Sequence, residues 1–145
     1  MLVAKFIFMH LSIPKLLLAY LLTFAVFLII DLVWLGFLAK NLYRKQLGGL
    51  LSEQVNWTAA IIFYLLFVAA TLFFAVAPAV EKNLVSTAIL YGALFGFITY
   101  ATYDLTNLAT LKGWPVKIVW IDMAWGTFLT ASVSIAGFYI VKWLQ

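Results

Sequence analysis

The sequence predicts an all-α integral membrane protein, a four-helix bundle with short loops that forms a single transmembrane domain over residues 1–145. Three observations carry this. First, 67% of the 145 residues are hydrophobic and only 10% are charged, against roughly 45–50% and about 25% in soluble domains. Second, the mean hydropathy of +1.13 leaves too little polar surface to cover a globule. Third, four apolar stretches each reach the roughly 20 residues that a helix needs to cross a hydrocarbon core about 30 Å thick. Barrel strands would need only about 10 residues each and would alternate in polarity. A soluble enzyme and a disordered tail are excluded. The formal charge of +4 comes from nine Lys and Arg spread along the chain, so no nucleic-acid partner is expected. With no cysteine, disulfides, thiolate metal sites and a cysteine nucleophile are absent.

The amino-terminal MLVAKFIFMHLS is apolar but too short to cross. Residues 1–14 are expected to form either an interfacial helix or a frayed entry to the first span. Lys15 interrupts the apolar run, which argues against a cleaved signal peptide. The first span is expected over residues 16–38. The second is expected over 57–77, stopping at Pro78 because proline lacks the N–H that would continue a helix. The third is expected over 84–108. The fourth, over 116–143, has Pro115 at its start, where a missing N–H costs nothing. Trp57, Trp114, Trp120 and Trp143 lie near span ends and read as interfacial anchors.

Four spans put both termini on one side, here side B, and the first and third connections on the other, side A. Side A carries Lys40, Arg44, Lys45, Lys112 and Lys117, and side B carries Lys5, Lys15, Lys82 and Lys142. The clustered Lys40, Arg44 and Lys45 place loops 39–56 and 109–115 in the cytoplasm by the positive-inside rule. So narrow a margin also permits dual insertion and a homodimer. The lipid bilayer is the expected surrounding, and a bacterial inner membrane the expected location.

Of five acidic residues, Asp31, Asp104 and Asp122 fall within the apolar spans. An aspartate at a helix centre costs about 2.5–3.5 kcal/mol on insertion scales, so it faces a protein interior or a wet cavity. Asp31 precedes Lys40 by nine residues, Asp104 precedes Lys112 by eight, and Asp122 follows Lys117 by five. At 1.5 Å per residue all three lie roughly 7–14 Å below the basic residues of side A. Connectivity alone therefore brings them to one level.

Two spacings bring the helices together around that level. Gly92, Gly96, Tyr100 and Asp104 recur every fourth residue in the third span, and Asp122, Gly126, Thr130 and Ser134 do so in the fourth. Residues four apart share a helix face, and small residues let membrane helices approach closely. Run antiparallel, Asp104 meets Asp122, Tyr100 meets Gly126, Gly96 meets Thr130 and Gly92 meets Ser134. Asp31-Leu-Val-Trp34 and Asp122-Met-Ala-Trp125 repeat a D-x-x-W pattern followed by glycine, which stacks carboxylate and indole on one face. Trp34 and Trp125 would then wall a carboxylate pocket. Tyr103 and Asn107 flank Asp104 and offer hydroxyl and amide groups to the carboxylates or to a ligand. The second span has no charged residue and reads as scaffold.

DLVWLG in the first span, YATYDLTNLATLKGWP at Tyr100–Pro115 and DMAWG at Asp122–Gly126 resemble the small bacterial membrane proteins of domain of unknown function 2177. The resemblance covers essentially the whole chain and implies a four-span bacterial membrane protein. It implies no particular reaction.

The chemistry narrows further. The lone histidine, His10, lies beyond Lys15 on side B, away from the aspartates, so a Ser-His-Asp triad is not expected. Neither is a zinc site or a phosphate-cradling glycine loop. No cofactor is expected, although Asp and Asn oxygens could hold a hard cation. Two carboxylates close together in a poor dielectric do not both ionise easily, so Asp104 and Asp122 are expected to share a proton. Indole faces attract positive charge. The leading reading is proton-coupled binding or transport of a small cationic or amphipathic ligand. A second is a membrane-embedded enzyme acting on a lipid or isoprenoid-like substrate, with Asp104 and Asp122 exchanging protons and Asp31 positioning them. A third is a structural or assembly subunit.

Overall fold

The computed structural model describes residues 11–145 and is all-α. The interfacial helix expected over residues 1–14 falls largely outside the described residues, as does His10. Pro14 already lies in the first turn of α1 (Ile13–Val33). α1 runs into a single π turn, Trp34–Leu38, closed by the Ala39 N–H donating to the Trp34 carbonyl at 2.7 Å. α2 (Lys40–Leu47) follows and ends at Gly48, whose φ of 44° lies in the left-handed region that favours glycine.

α3 (Trp57–Thr71) starts at Asn56, whose side chain accepts the Ala59 N–H at 3.1 Å. This caps one of the free donors of the first turn. A second π turn, Leu72–Val76, leads into α4 (Ala77–Lys82), which Asn83 ends in the left-handed conformation. α5 (Val85–Thr110) and α6 (Val116–Leu144) complete the chain, with Gly113 turning between them at φ 78°. Among the described residues, four continuous helices are thus long and apolar enough to span a membrane: Ile13–Leu38, Trp57–Lys82, Val85–Thr110 and Val116–Leu144. The chain is a multi-pass membrane protein.

Two expectations are corrected. The second span does not stop at Pro78 but continues to Lys82. The Ala77 N–H reaches back five residues to the Leu72 carbonyl. Widening the turn just before Pro78 relieves its ring clash with the preceding turn and absorbs its missing N–H. The first connection, residues 39–56, is also not simply a loop, since it contains α2.

α6 is the axis of the bundle: 44% of its most apolar window is buried, against 22–28% for the other three spans. Its seam with α5 is built on missing side chains. A methyl at Gly96 would strike the Gly126 carbonyl oxygen, and one at Gly126 would strike the Tyr100 ring. At Gly92 it would lie 2.8 Å from the Thr130 carbonyl oxygen and against the Ser134 side chain. Backbone therefore meets backbone here, as small-xxx-small seams allow. Phe27, Phe67, Val68, Leu129 and Val133 fill the middle of the bundle. Towards side B, Ala19, Val76, Ala79, Ala88, Phe138 and Val141 close it. Large exposed apolar side chains such as Phe37, Leu66 and Phe128 face the surrounding lipid.

Candidate functional site

Towards side A the helices spread around a cavity of about 390 Å³. Asp31 and Leu35 come from the first span, Tyr43 and Leu47 from α2, and Phe63, Tyr64 and Phe67 from α3. Thr99, Tyr100 and Tyr103 come from α5, Trp114 from the turn after it, and Asp122 and Trp125 from α6. Eight of these thirteen residues are aromatic and two are carboxylates, with no Lys, Arg or His among them. A larger groove of about 570 Å³ lies between the first two spans, but Tyr20 is the sole polar side chain among its lining residues. It offers no comparable chemistry.

The two cavity carboxylates are each held by a phenol. Tyr64 Oη donates to Asp31 Oδ2 at 3.0 Å, and Tyr43 Oη donates to Asp122 Oδ1. The Trp34 indole N–H in turn donates to Tyr43 Oη at 3.2 Å, so Trp34, Tyr43 and Asp122 form a chain. Burial and its bond to Asp122 push the Tyr43 phenol well above its ordinary pKa, which keeps the O–H a donor. Asp31 and Asp122 are nearly buried, yet neither has an oxygen that is both sealed and unbonded. Neither second oxygen takes a further hydrogen bond, and the Trp125 indole lies beside Asp31.

The other residues singled out by the sequence take separate places. Asp104 is fully buried, does not line the cavity, and has both carboxylate oxygens sealed without a hydrogen-bond partner. The Trp114 indole N–H is also sealed and unpartnered. Trp34 does not wall the cavity; it stacks behind Trp125, with ring centroids 4.2 Å apart and planes 8° from parallel. Asn107 is half-buried and stays off the lining, whereas Tyr100, Tyr103 and Trp125 lie on it. Gly92, Gly96, Gly126, Thr130 and Ser134 form the α5–α6 seam, where the Thr130 and Ser134 hydroxyls are buried without partners.

The family is decided by the extent of the match: the family described as predicted membrane protein (DUF2177) matches residues 16–139. The chain belongs to this family. The matched residues include every residue that lines the cavity, both carboxylates among them. No curated protein and no solved structure matches the chain.

Eight of the lining residues were not assigned to the site from sequence, and three of these shape it most. Tyr64 lies on the second span, so that span is not mere scaffold; it supplies the donor to Asp31. Its signal was a lone phenol in an otherwise apolar stretch at the depth of the aspartates. Tyr43 lies on α2, where Tyr43 and Leu47 share a face of a short helix whose Lys40, Arg44 and Lys45 are exposed. That i, i+4 pattern was the available signal. Trp114 is not an exposed interfacial anchor but half-buried, edge-on to Tyr103 with ring centroids 5.7 Å apart. Trp57, Trp120 and Trp143 are exposed at 69%, 67% and 75%, as side chains at the lipid interface would be. Among the described residues, no three His, Cys, Asp or Glu side chains are grouped to hold a metal ion.

Proposed function

We propose that this protein binds a small organic cation in the side A cavity in exchange for a proton, and that this exchange drives transport across a bacterial inner membrane. One observation carries the reading: two carboxylates line an aromatic-walled cavity and, among the described residues, no basic side chain lines it to neutralise them. Buried charge demands a counter-charge. At this site that is either a proton on the carboxyl or the cation that replaces it. The walls favour an organic cation over a bare metal ion, because phenol and indole faces stabilise delocalised positive charge while a hard cation needs a larger set of oxygens. Tyr43 and Tyr64 hold the carboxylates in place and leave one oxygen of each for the ligand.

The exchange is tested in proteoliposomes loaded with a pH-sensitive dye. Adding tetraphenylphosphonium to purified protein should release protons, and Asp122→Asn should abolish the release while the protein still elutes as a folded species. Absence of proton release with a series of organic cations would overturn the reading. So would an undiminished signal from the double variant Asp31→Asn/Asp122→Asn.

A further inference from the structure

The cavity has a roof and an open flank. Tyr43 and Leu47 of α2 and Trp114 of the α5–α6 turn cover it towards side A. Three other lining residues are exposed to the surroundings: Leu35 at 40%, Phe63 at 47% and Tyr103 at 58%. All three lie within membrane-spanning helices. Phe63 is six residues inside the start of α3 and Tyr103 seven residues inside the end of α5. At 1.5 Å per residue, both lie roughly 9–11 Å into the span. At that depth both residues stand at the level of the hydrocarbon core.

The opening follows from the packing of the second span. Its side B half, the π turn and α4, packs against α5. Its side A half, α3, makes its main contacts with α1. Phe63 on α3 and Tyr103 on α5 thus form two edges of a window between the cavity and the bilayer.

We infer that the cavity takes its ligand sideways from the membrane, and that the ligand is a lipophilic amine: a cationic head that reaches Asp31 and Asp122, with a hydrocarbon chain left in the lipid. This rests on the cation-binding reading above and adds the ligand's chain and its route. A head without a chain would have to pass the α2 roof. A chain without a cation would leave the two carboxylates unmatched.

Three probes separate these terms in phosphatidylcholine nanodiscs containing the full chain. Dodecyltrimethylammonium carries head and chain, tetramethylammonium the head alone, and dodecanol the chain alone. Affinity is read by equilibrium dialysis of radiolabelled probe and association rate by rapid filtration, both corrected for uptake by empty nanodiscs. Saturable binding of dodecyltrimethylammonium, at least 30-fold stronger than that of either other probe, is expected. Narrowing the window with Tyr103→Trp, or independently with Phe63→Trp, should slow association of dodecyltrimethylammonium at least fivefold.

Equal binding of both ammonium probes, with rates untouched by either folded variant, would overturn the lateral route and leave cation binding standing. Failure of both cations to bind would remove the cation reading and the inference with it. Dodecanol binding as tightly as the amine would overturn the amine as ligand.

Discussion

Adding one methyl group at Gly96 tests the bundle most severely. The new Cβ would overlap the carbonyl oxygen of Gly126 and lie 2.6 Å from Thr130 Oγ1, whereas ordinary contact begins near 3.4 Å. Thr130 could rotate away, but the Gly126 carbonyl belongs to a helix backbone and cannot. Relief therefore requires α5 and α6 to separate by about an ångström. A radial gap of 0.5–1 Å forfeits about a quarter to a half of each dispersion contact across it, and overpacking of this kind costs about 1–3 kcal/mol. Because the obstacle is backbone, we expect Gly96→Ala to fall at the upper end, about 3 kcal/mol. Gly36→Ala is the control, since a methyl there meets nothing within 4 Å; its stability should stay within about 1 kcal/mol of the parent, the usual helix-propensity difference. Thermal unfolding in detergent, followed by fluorescence-detected size exclusion, reads both. A Gly96→Ala protein as stable as Gly36→Ala would refute backbone contact at the seam.

Two further outcomes concern the polar groups. Tyr43→Phe removes the donor to Asp122 and the acceptor of the Trp34 N–H, and should cost about 2 kcal/mol in unfolding free energy, since hydrogen bonds to charged groups contribute about 1.5–3. Because the folded protein holds the Tyr43 phenol above its ordinary value, its contribution is level below about pH 10, where both states are protonated, and falls above it as the unfolded chain ionises first. The alkaline decline in melting temperature should therefore be shallower in Tyr43→Phe, and an unchanged slope would contradict the buried placement. Asp104→Leu replaces a sealed carboxyl that makes no hydrogen bond by an apolar group, and should stabilise the protein by about 1 kcal/mol, the lower end of the desolvation cost, because the buried Trp114 indole N–H beside it stays unpaired. Destabilisation, measured by the same unfolding assay, would mean that Asp104 has a partner.

The spans were legible because composition and length alone define them. The α5–α6 seam was legible because a four-residue repeat of small residues permits few other arrangements: Gly92 does lie against Ser134, and Gly126 under Tyr100. Pro78 misled because a π turn can absorb a proline, and no residue among Leu72–Val76 announces one. Asp31 and Asp122 drew attention as charges in lipid, but their phenol partners carry no charge and lie on other elements. That pairing depends on how α2 folds back over the first span and how α3 leans on α1. Short-range spacing cannot encode either. The same limit explains Asp104: periodicity put it on the α6-facing side of α5, but not how completely its neighbours would seal it off from the cavity.

The glycine interlock sets the last two spans apart from the first two. With backbone against backbone, α5 and α6 have no slack to slide, so Asp122 and Tyr100 are fixed to one rigid frame. Both π turns, by contrast, lie in the first two spans, and these carry Asp31 and Tyr64. A change in cavity shape that leaves this frame intact would move Asp31 relative to Asp122, with Tyr43 bonded across the two halves.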